Sequence, residues 1–469
     1  MLLSNARVGE SLVDVLITDG VIASITPATD LGRDLGGRWL SPGLWDNHVH
    51  FSQWSLLQQR LDVSAAASAA EAVARVRDNF DSGRAPFIGY GFRDALWPDA
   101  PTAALLDEAS SVHPIVLVSG DLHAVWLNTP ALALYGLDPN DSGLLREDPA
   151  FDITRRINTV DPLVLDTWAD EAARVAASRG VVGVVELEMD WNLDTWVRRI
   201  ENGTDALRVE FGIYTQHLDR AIELGLRSGQ RINELLTVGG YKVLTDGSLN
   251  TRTAYCFDEY PGRPGEFGLL TMPPEELKPH VRKAVAAGIH PVVHAIGDHA
   301  VSLVLDSFAE LGTAGRMEHA QLVAASDFAR FAELGVVASV QPDHAMDDRD
   351  VADRLWTGRT DRTFALRSLL DAGAELALGS DAPVSPLDPW VTAAAAVGRS
   401  RDGREPWHPE QRITSAEALA ASTRTTVAVG QPADLIVTEV DPWAADASAL
   451  REMSVSATLL GGRFTHDAL

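Results

Sequence analysis

The sequence predicts an α/β fold: a closed (β/α)8 barrel of the TIM type, with a small β-sandwich domain built from both termini and an insertion after the first barrel strand. Three observations predict it. Short β-rich runs alternate with helical segments through the middle of the chain, eight such runs can be counted, and both chain ends carry hairpin-like pairs. The eight runs are 44–50, 181–187, 208–215, 240–246, 290–295, 315–319, 336–341 and 375–380. Helical segments such as Pro274–Ala287 and Asp298–Leu311 lie between most of them. Strand–helix alternation implies a parallel sheet, because parallel neighbours need a long crossover, and eight units imply closure. Without residues 55–165, the stretch 44–385 is 231 residues long, against about 250 for this architecture. A doubly wound open sheet is the alternative. No Gly-x-Gly-x-x-Gly follows any strand, which weakens its dinucleotide-binding form.

The remaining elements follow from the same patterns. Residues 13–25 read as strand, Asp19-Gly20 turn, strand. Near the other end, 433–437 and 457–464 read the same way, so the termini are expected to pair. The expected domains are 1–42 with 425–469 as the small β-domain, and 43–424 as the barrel. Residues 55–165 are expected to be a lid or side subdomain, since structureless loops of that length are rare. Within it, Pro114–Ser119 reads as a strand and Thr129–Leu134 as a helix start.

Composition narrows the function. The net charge of −27 repels phosphate backbones and anionic lipid, so no nucleic acid and no membrane partner is expected. The expected partner is a small-molecule substrate, with a second copy of the chain as a homodimer compatible with the sequence. No apolar run reaches the roughly 20 residues of a membrane helix, and no basic-then-apolar leader opens the chain. A single cysteine, Cys256, excludes an internal disulfide and fits a cytoplasmic location. Arginine far outnumbers lysine. Of the three lysines, Lys278 and Lys283 sit in a helical segment, whereas Lys242 sits inside an apolar strand.

The strand ends carry the chemistry. His48 and His50 end the first strand, and residues i and i+2 share one face. Lys242 lies on the fourth strand, His294 ends the fifth, His319 the sixth, and Asp381 follows the eighth. In a (β/α)8 barrel the active site lies at these ends. Imidazole and carboxylate are ligands for zinc and similar divalent ions. Taken singly, each residue has an ordinary structural explanation: a satisfied core histidine, a turn aspartate, a lysine snorkelling to solvent. Six coincidences at one mouth are a poor explanation.

The pattern resembles the amidohydrolase superfamily, and further runs resemble its YtcJ-like branch, which includes N-substituted formamide deformylases. Those runs are Lys242–Leu249 with Arg252-Thr253-Ala254, His294–Asp298, Glu318–Gln321, Ser339–Pro342, Gly379–Val384 and His123–Asn128. Asn250-Thr251 stands where Gly-Ser is more usual. The resemblance implies that His48, His50 and Asp381 bind one metal, that His294 and His319 bind a second, and that a carboxylated Lys242 bridges them. The implied cofactor is two zinc ions per chain. It implies hydrolysis of a non-peptide carbon–nitrogen bond by metal-activated hydroxide, with Asp381 as general base and then general acid. The apolar setting of Lys242 would favour the neutral amine that carboxylation needs, which arginine could not supply.

His123, Arg252, His344 and Trp97 are candidates for substrate contact, with loop polar contacts or core packing as the ordinary alternatives. Trp45, Trp54 and Trp126 share the aromatic-wall reading with Trp97, and core packing is the better expectation for most of them. Asp298 and Glu318 adjoin ligand histidines and could fix their tautomers, with helix capping the alternative for Asp298. The same metal site would serve a lactonase, a carboxylesterase or a deaminase, since function lives in the pocket. A non-catalytic ligand-binding or regulatory protein is the alternative of another class.

Overall fold

Eight parallel strands form the central sheet of this computed structural model, which describes residues 1–469 apart from positions 30, 84, 95, 96, 121–123, 139–141 and 147. In chain order the strands are Leu44–Val49, Val181–Glu186, Arg208–Tyr214, Leu236–Leu244, Pro291–Ala295, Arg316–His319, Val337–Val340 and Leu376–Leu378. Each pairs in parallel with the next. This sequential order excludes the doubly wound sheet, whose strand order reverses at a switch point. Helices including Pro274–Ala286 and Asp298–Leu311 lie between the strands.

The fourth strand starts four residues earlier than its sequence suggests, at Leu236 rather than 240. Gly239 and Gly240 lie inside this strand and serve close strand approach. A Cβ on Gly240 would stand 2.4 Å from Val292 Cγ2 and 2.7 Å from the His290 carbonyl oxygen. Past the eighth strand the chain returns to the first. Asp381 N donates to the His48 carbonyl at 2.8 Å, His50 N donates to the Ala382 carbonyl at 2.8 Å, and Val49 bridges Ala382. Asp46 reinforces this seam, accepting from Ser380 N at 2.9 Å and His48 N at 3.1 Å through Oδ1.

The termini join in one eight-stranded sheet. Ser11–Thr18 and Val21–Pro27 pair antiparallel through the Asp19-Gly20 turn, and Trp39–Pro42 pairs antiparallel with Leu435–Thr438. The sheet wraps an apolar core that includes Leu3, Val15, Ile17 and Ile22 from one end of the chain with Leu435, Val437 and Leu459 from the other.

Residues 1–54 and 170–469 make one compact unit, and residues 55–169 a second. The second contains a five-stranded sheet ordered Leu144–Arg146, Ala124–Leu127, Ile115–Ser119, Phe87–Phe92, Leu61–Asp62. Its strand at 115–119 shows the period of two: Ile115 and Leu117 feed one core with Trp126, while Val116 and Val118 feed another with Ile153. Asn128 caps the helix Thr129–Tyr135 by accepting from Ala131 N at 3.0 Å. No helix among the described residues is long and apolar enough to cross a membrane.

The seam tolerates no side chain at Gly379, where a Cβ would lie 2.7 Å from His48 N and 3.0 Å from His48 Cβ. Gly379→Ala is expected to cost about 1–3 kcal/mol through overpacking. Calorimetry of the variant should show a lowered unfolding midpoint; an unchanged midpoint would contradict this close packing.

Candidate metal centre

Short buried strands deliver the site residues to one mouth. His48 and His50 leave the first strand on one face with ring centroids 5.6 Å apart. His294 and His319 come from the fifth and sixth strands with centroids 4.5 Å apart, and His48 lies 5.1 Å from His319. Lys242 arrives from the fourth strand and Asp381 from the turn after the eighth. These six residues line one cavity of about 610 Å³, with His344 beside them. His319 and Asp381 hold left-handed backbone, at φ +74° and +57°. For non-glycine residues that strain is on the order of 1–3 kcal/mol each, and it concentrates at functional sites.

Asp381 is the hub. Its Oδ1 lies 3.4 Å from His48 Nε2 and 3.3 Å from His50 Nε2, and its Oδ2 lies 4.0 Å from His344 Nε2. Among the described residues, two sets have ligand atoms within 4.8 Å of one another: His48, His50 and Asp381, and His319, His344 and Asp381. The first is the trio expected from the sequence. The second brings in His344, the first residue of the helix His344–Leu355, which the sequence suggested only as a pocket residue. His294 faces Gly247 O at 3.3 Å and Asp246 Oδ1 at 3.4 Å through Nε2. The donor set fits a divalent ion on an independent ground. Lys242 Nζ, His50 Nδ1, His319 Nδ1 and His344 Nε2 are buried without a hydrogen-bond partner, an arrangement that costs free energy unless something completes it.

Burial sets the charge states. It pushes the Lys242 amine down to about 8 against the opposing pull of Glu318 and Asp381. It pushes His48 down to about 4, and His319, beside His294, well below its ordinary value. Burial alone would raise Asp381, but His48, His50, His319 and His344 hold it well below the usual carboxylate range. Burial would likewise lower His50, yet Asp381 lifts it above its ordinary value. The mouth therefore pairs an anionic Asp381 with neutral imidazoles at His48 and His319.

Glu318 reaches across the barrel. It accepts from His48 Nδ1 at 2.5 Å and from Ser339 Oγ at 2.7 Å, with Arg316 Nε 2.5 Å from its Oε1. It thus fixes the tautomer of His48, on the opposite side, rather than that of its neighbour His319. Binding Nδ1–H leaves Nε2 as the free ligand atom. Asp298 does not touch a ligand histidine: it begins its helix and accepts from Phe257 N at 3.0 Å. Sequence reasoning missed Asp246 as an organiser. Its carboxylate gathers Ile296 N, Gly297 N and Tyr255 N at 2.9–3.0 Å, and its only sequence signal is its place in the Lys242–Leu249 run.

The other candidates separate. His123 lies outside the described residues. Trp97 packs in a core of the second unit with Phe92 and Trp126, donating Nε1–H to the Ala66 carbonyl at 3.1 Å. Arg252 is exposed at φ +58° on the loop beyond Asn250 and does not line the cavity. Trp45 is buried under the Arg424 guanidinium, 3.7 Å from its ring centroid, and Trp54 packs on Phe51. These tryptophans pack as core, as their apolar surface favours.

An eight-stranded parallel barrel with histidines and an aspartate at ligand spacing on its C-terminal mouth defines the class of barrel hydrolases that use a metal. Residues 32–466 match the Amidohydrolase family. The chain belongs to that family, and it is an enzyme, an amidohydrolase. It is 30% identical to the protein LONG AFTER FAR-RED 3 of Arabidopsis thaliana over 92% of this chain and 82% of that protein. It is 24% identical to the N-substituted formamide deformylase of Arthrobacter pascens over 97% of this chain and 94% of that one. An uncharacterized metal-dependent hydrolase from Pyrococcus horikoshii OT3 superposes with a TM-score of 0.79 at 25% identity, covering 95% of this chain and 99% of the other.

Glu318→Gln should weaken metal binding about 10–100-fold, the usual effect of losing a ligand's hydrogen-bond partner. Chelator competition on the folded variant measures it; unchanged affinity would remove Glu318 from this role.

Proposed function

We propose that the enzyme hydrolyses a non-peptide carbon–nitrogen bond, of the amide or N-substituted formamide type, using two zinc ions bridged by carboxylated Lys242. The observation that carries this reading is Lys242 itself: a buried, unpartnered amine on the wall of the His–Asp cavity. His48, His50 and Asp381 would hold one ion, and His294 and His319 the other. When bound, the metal supplies a water of lowered pKa and polarises the scissile carbonyl. Lys242 prepares the bridge. With its pKa brought to about 8, about a tenth of the amine is neutral at pH 7, far more than for an exposed lysine. That amine attacks carbon dioxide at carbon, forms an N–C bond and releases one proton, leaving an anionic carbamate with two oxygens to share.

Asp381 then moves the proton. Held anionic among the imidazoles, it accepts a proton from the attacking water and delivers it to the leaving nitrogen, a transfer typically worth ~10²–10⁴-fold. Glu318 keeps His48 oriented throughout, while burial keeps its imidazole neutral. The cavity supports the substrate class. Met189, Leu244, Leu249, Ile296 and Val384 give it an apolar wall, Asp347 and Asp348 line it too, and no arginine is among the described residues that line it. Such a wall favours a neutral amide with an apolar substituent over one carrying a free carboxylate.

The test is amine release by metal-replete enzyme from N-alkyl and N-benzyl formamides, against acyl amino acids, lactones, esters and aminopyrimidines. Turnover confined to lactones, esters or aminopyrimidines would replace the carbon–nitrogen reading with one of its rivals. Asp381→Asn is expected to lower kcat by at least ~10²-fold while keeping much of its metal. Wild-type-like turnover in that variant would remove the proton-transfer role. Elemental analysis should find two metals per wild-type chain and the loss of both in Lys242→Ala; one metal, retained in the variant, refutes the bridge.

A further inference from the structure

The second unit holds a cavity of about 420 Å³ formed wholly from its own residues. Ile88 and Val160 give it aliphatic wall, and Tyr135 and Trp168 aromatic wall. Among the described residues that line it, the charged groups are Arg60 and Arg156 and none is a carboxylate. In a chain with 66 acidic and 39 basic side chains, two arginines on one apolar cavity, with no acid among its described lining residues, run against the overall charge balance.

Neither guanidinium is neutralised by a described carboxylate. Arg60 donates from Nη2 to Asn158 Oδ1 at 2.5 Å, a neutral acceptor, and its Nε is buried with no hydrogen-bond partner. Burial pushes Arg60 down to about 10, which leaves it fully charged near neutrality. Arg156 donates from Nη1 to the Tyr135 carbonyl at 3.3 Å and lies 4.6 Å from the Tyr135 ring centroid. For Arg60, partly withdrawn from water, a cation without a counter-ion is costly. A carboxylate matches the planar guanidinium fork with two parallel hydrogen bonds, and an apolar pocket of this size suits a small ligand with an apolar body.

We propose that this cavity is a binding site for a small amphipathic carboxylate, its head paired with Arg60 and Arg156 and its body against Ile88, Val160, Tyr135 and Trp168. The site needs neither the metal centre nor its chemistry.

Calorimetric titration of the full-length protein with 4-bromophenylacetate, 4-bromophenethyl alcohol and inorganic phosphate tests the proposal, with the bromine located by anomalous diffraction. The acid should bind in this cavity, and the alcohol and phosphate at least about tenfold more weakly. Arg60→Gln and Arg156→Gln should each weaken the acid about tenfold or more, whereas Asp381→Asn should leave this bromine site occupied. If Arg60→Gln fails to fold, Arg156→Gln, at an exposed position, decides the matter. Bromine absent from the cavity or present only at the barrel mouth, equal binding of the alcohol or of phosphate, or full affinity in folded Arg156→Gln would each overturn the assignment.

Discussion

The seam between the first and eighth barrel strands is the constraint on which the site depends. Two backbone hydrogen bonds, Asp381 N to His48 O and His50 N to Ala382 O, interleave the histidine pair with the aspartate turn. Asp46 clamps the same backbone from below through Ser380 N and His48 N. Because these bonds are made by the main chain, the spacing of His48, His50 and Asp381 is set before any side chain chooses a rotamer. The left-handed backbone of Asp381 is held in place by that same seam, and the bareness of Gly379 lets the two strands approach.

Beneath the seam lies a row of buried charges. Arg316 meets Glu318, Glu318 meets His48, and Lys242 stands close enough for its charge to act on both. Burial alone would raise Glu318; Arg316, His48 and Lys242 instead keep it an anion, well below the usual carboxylate range. The arginine supplies a permanent positive charge, so the glutamate does not require a protonated lysine or histidine as its counter-ion. That frees His48 to stay neutral as a ligand and Lys242 to release a proton. A barrel floor without Arg316 would pull those protons back.

Much of this architecture was legible in the chain. The eight strand runs fell close to the observed strands because each is a short apolar segment bounded by a helix or turn, and period and length both survive folding. The trio His48, His50 and Asp381 was legible because strand ends of a closed barrel converge wherever the loops go. What the chain did not show shares one cause: proximity that sequence spacing does not encode. Glu318 sits beside His319 in sequence but serves His48, which stands 270 residues earlier in the chain. His344, which opens a helix after the seventh strand, lines the cavity as its sequence position suggested, and its ring also stands in ligand range of Asp381. The start of the fourth strand at Leu236 was not legible because the role of Gly239 and Gly240, close approach of neighbouring strands, belongs to the partners.

By itself the sequence determined the barrel, the pairing of the two ends and which residue types reach the mouth, since these follow from periodicity and from the rule that strand ends converge. Tertiary structure alone decided which imidazole Glu318 orients, which histidines stand within reach of Asp381, that Lys242 is left without a partner, and that Arg60 and Arg156 share one cavity with no acid among its described lining residues. Those depend on distances of a few ångströms between residues tens or hundreds of positions apart. Packing sets such distances, and local propensity carries no record of them.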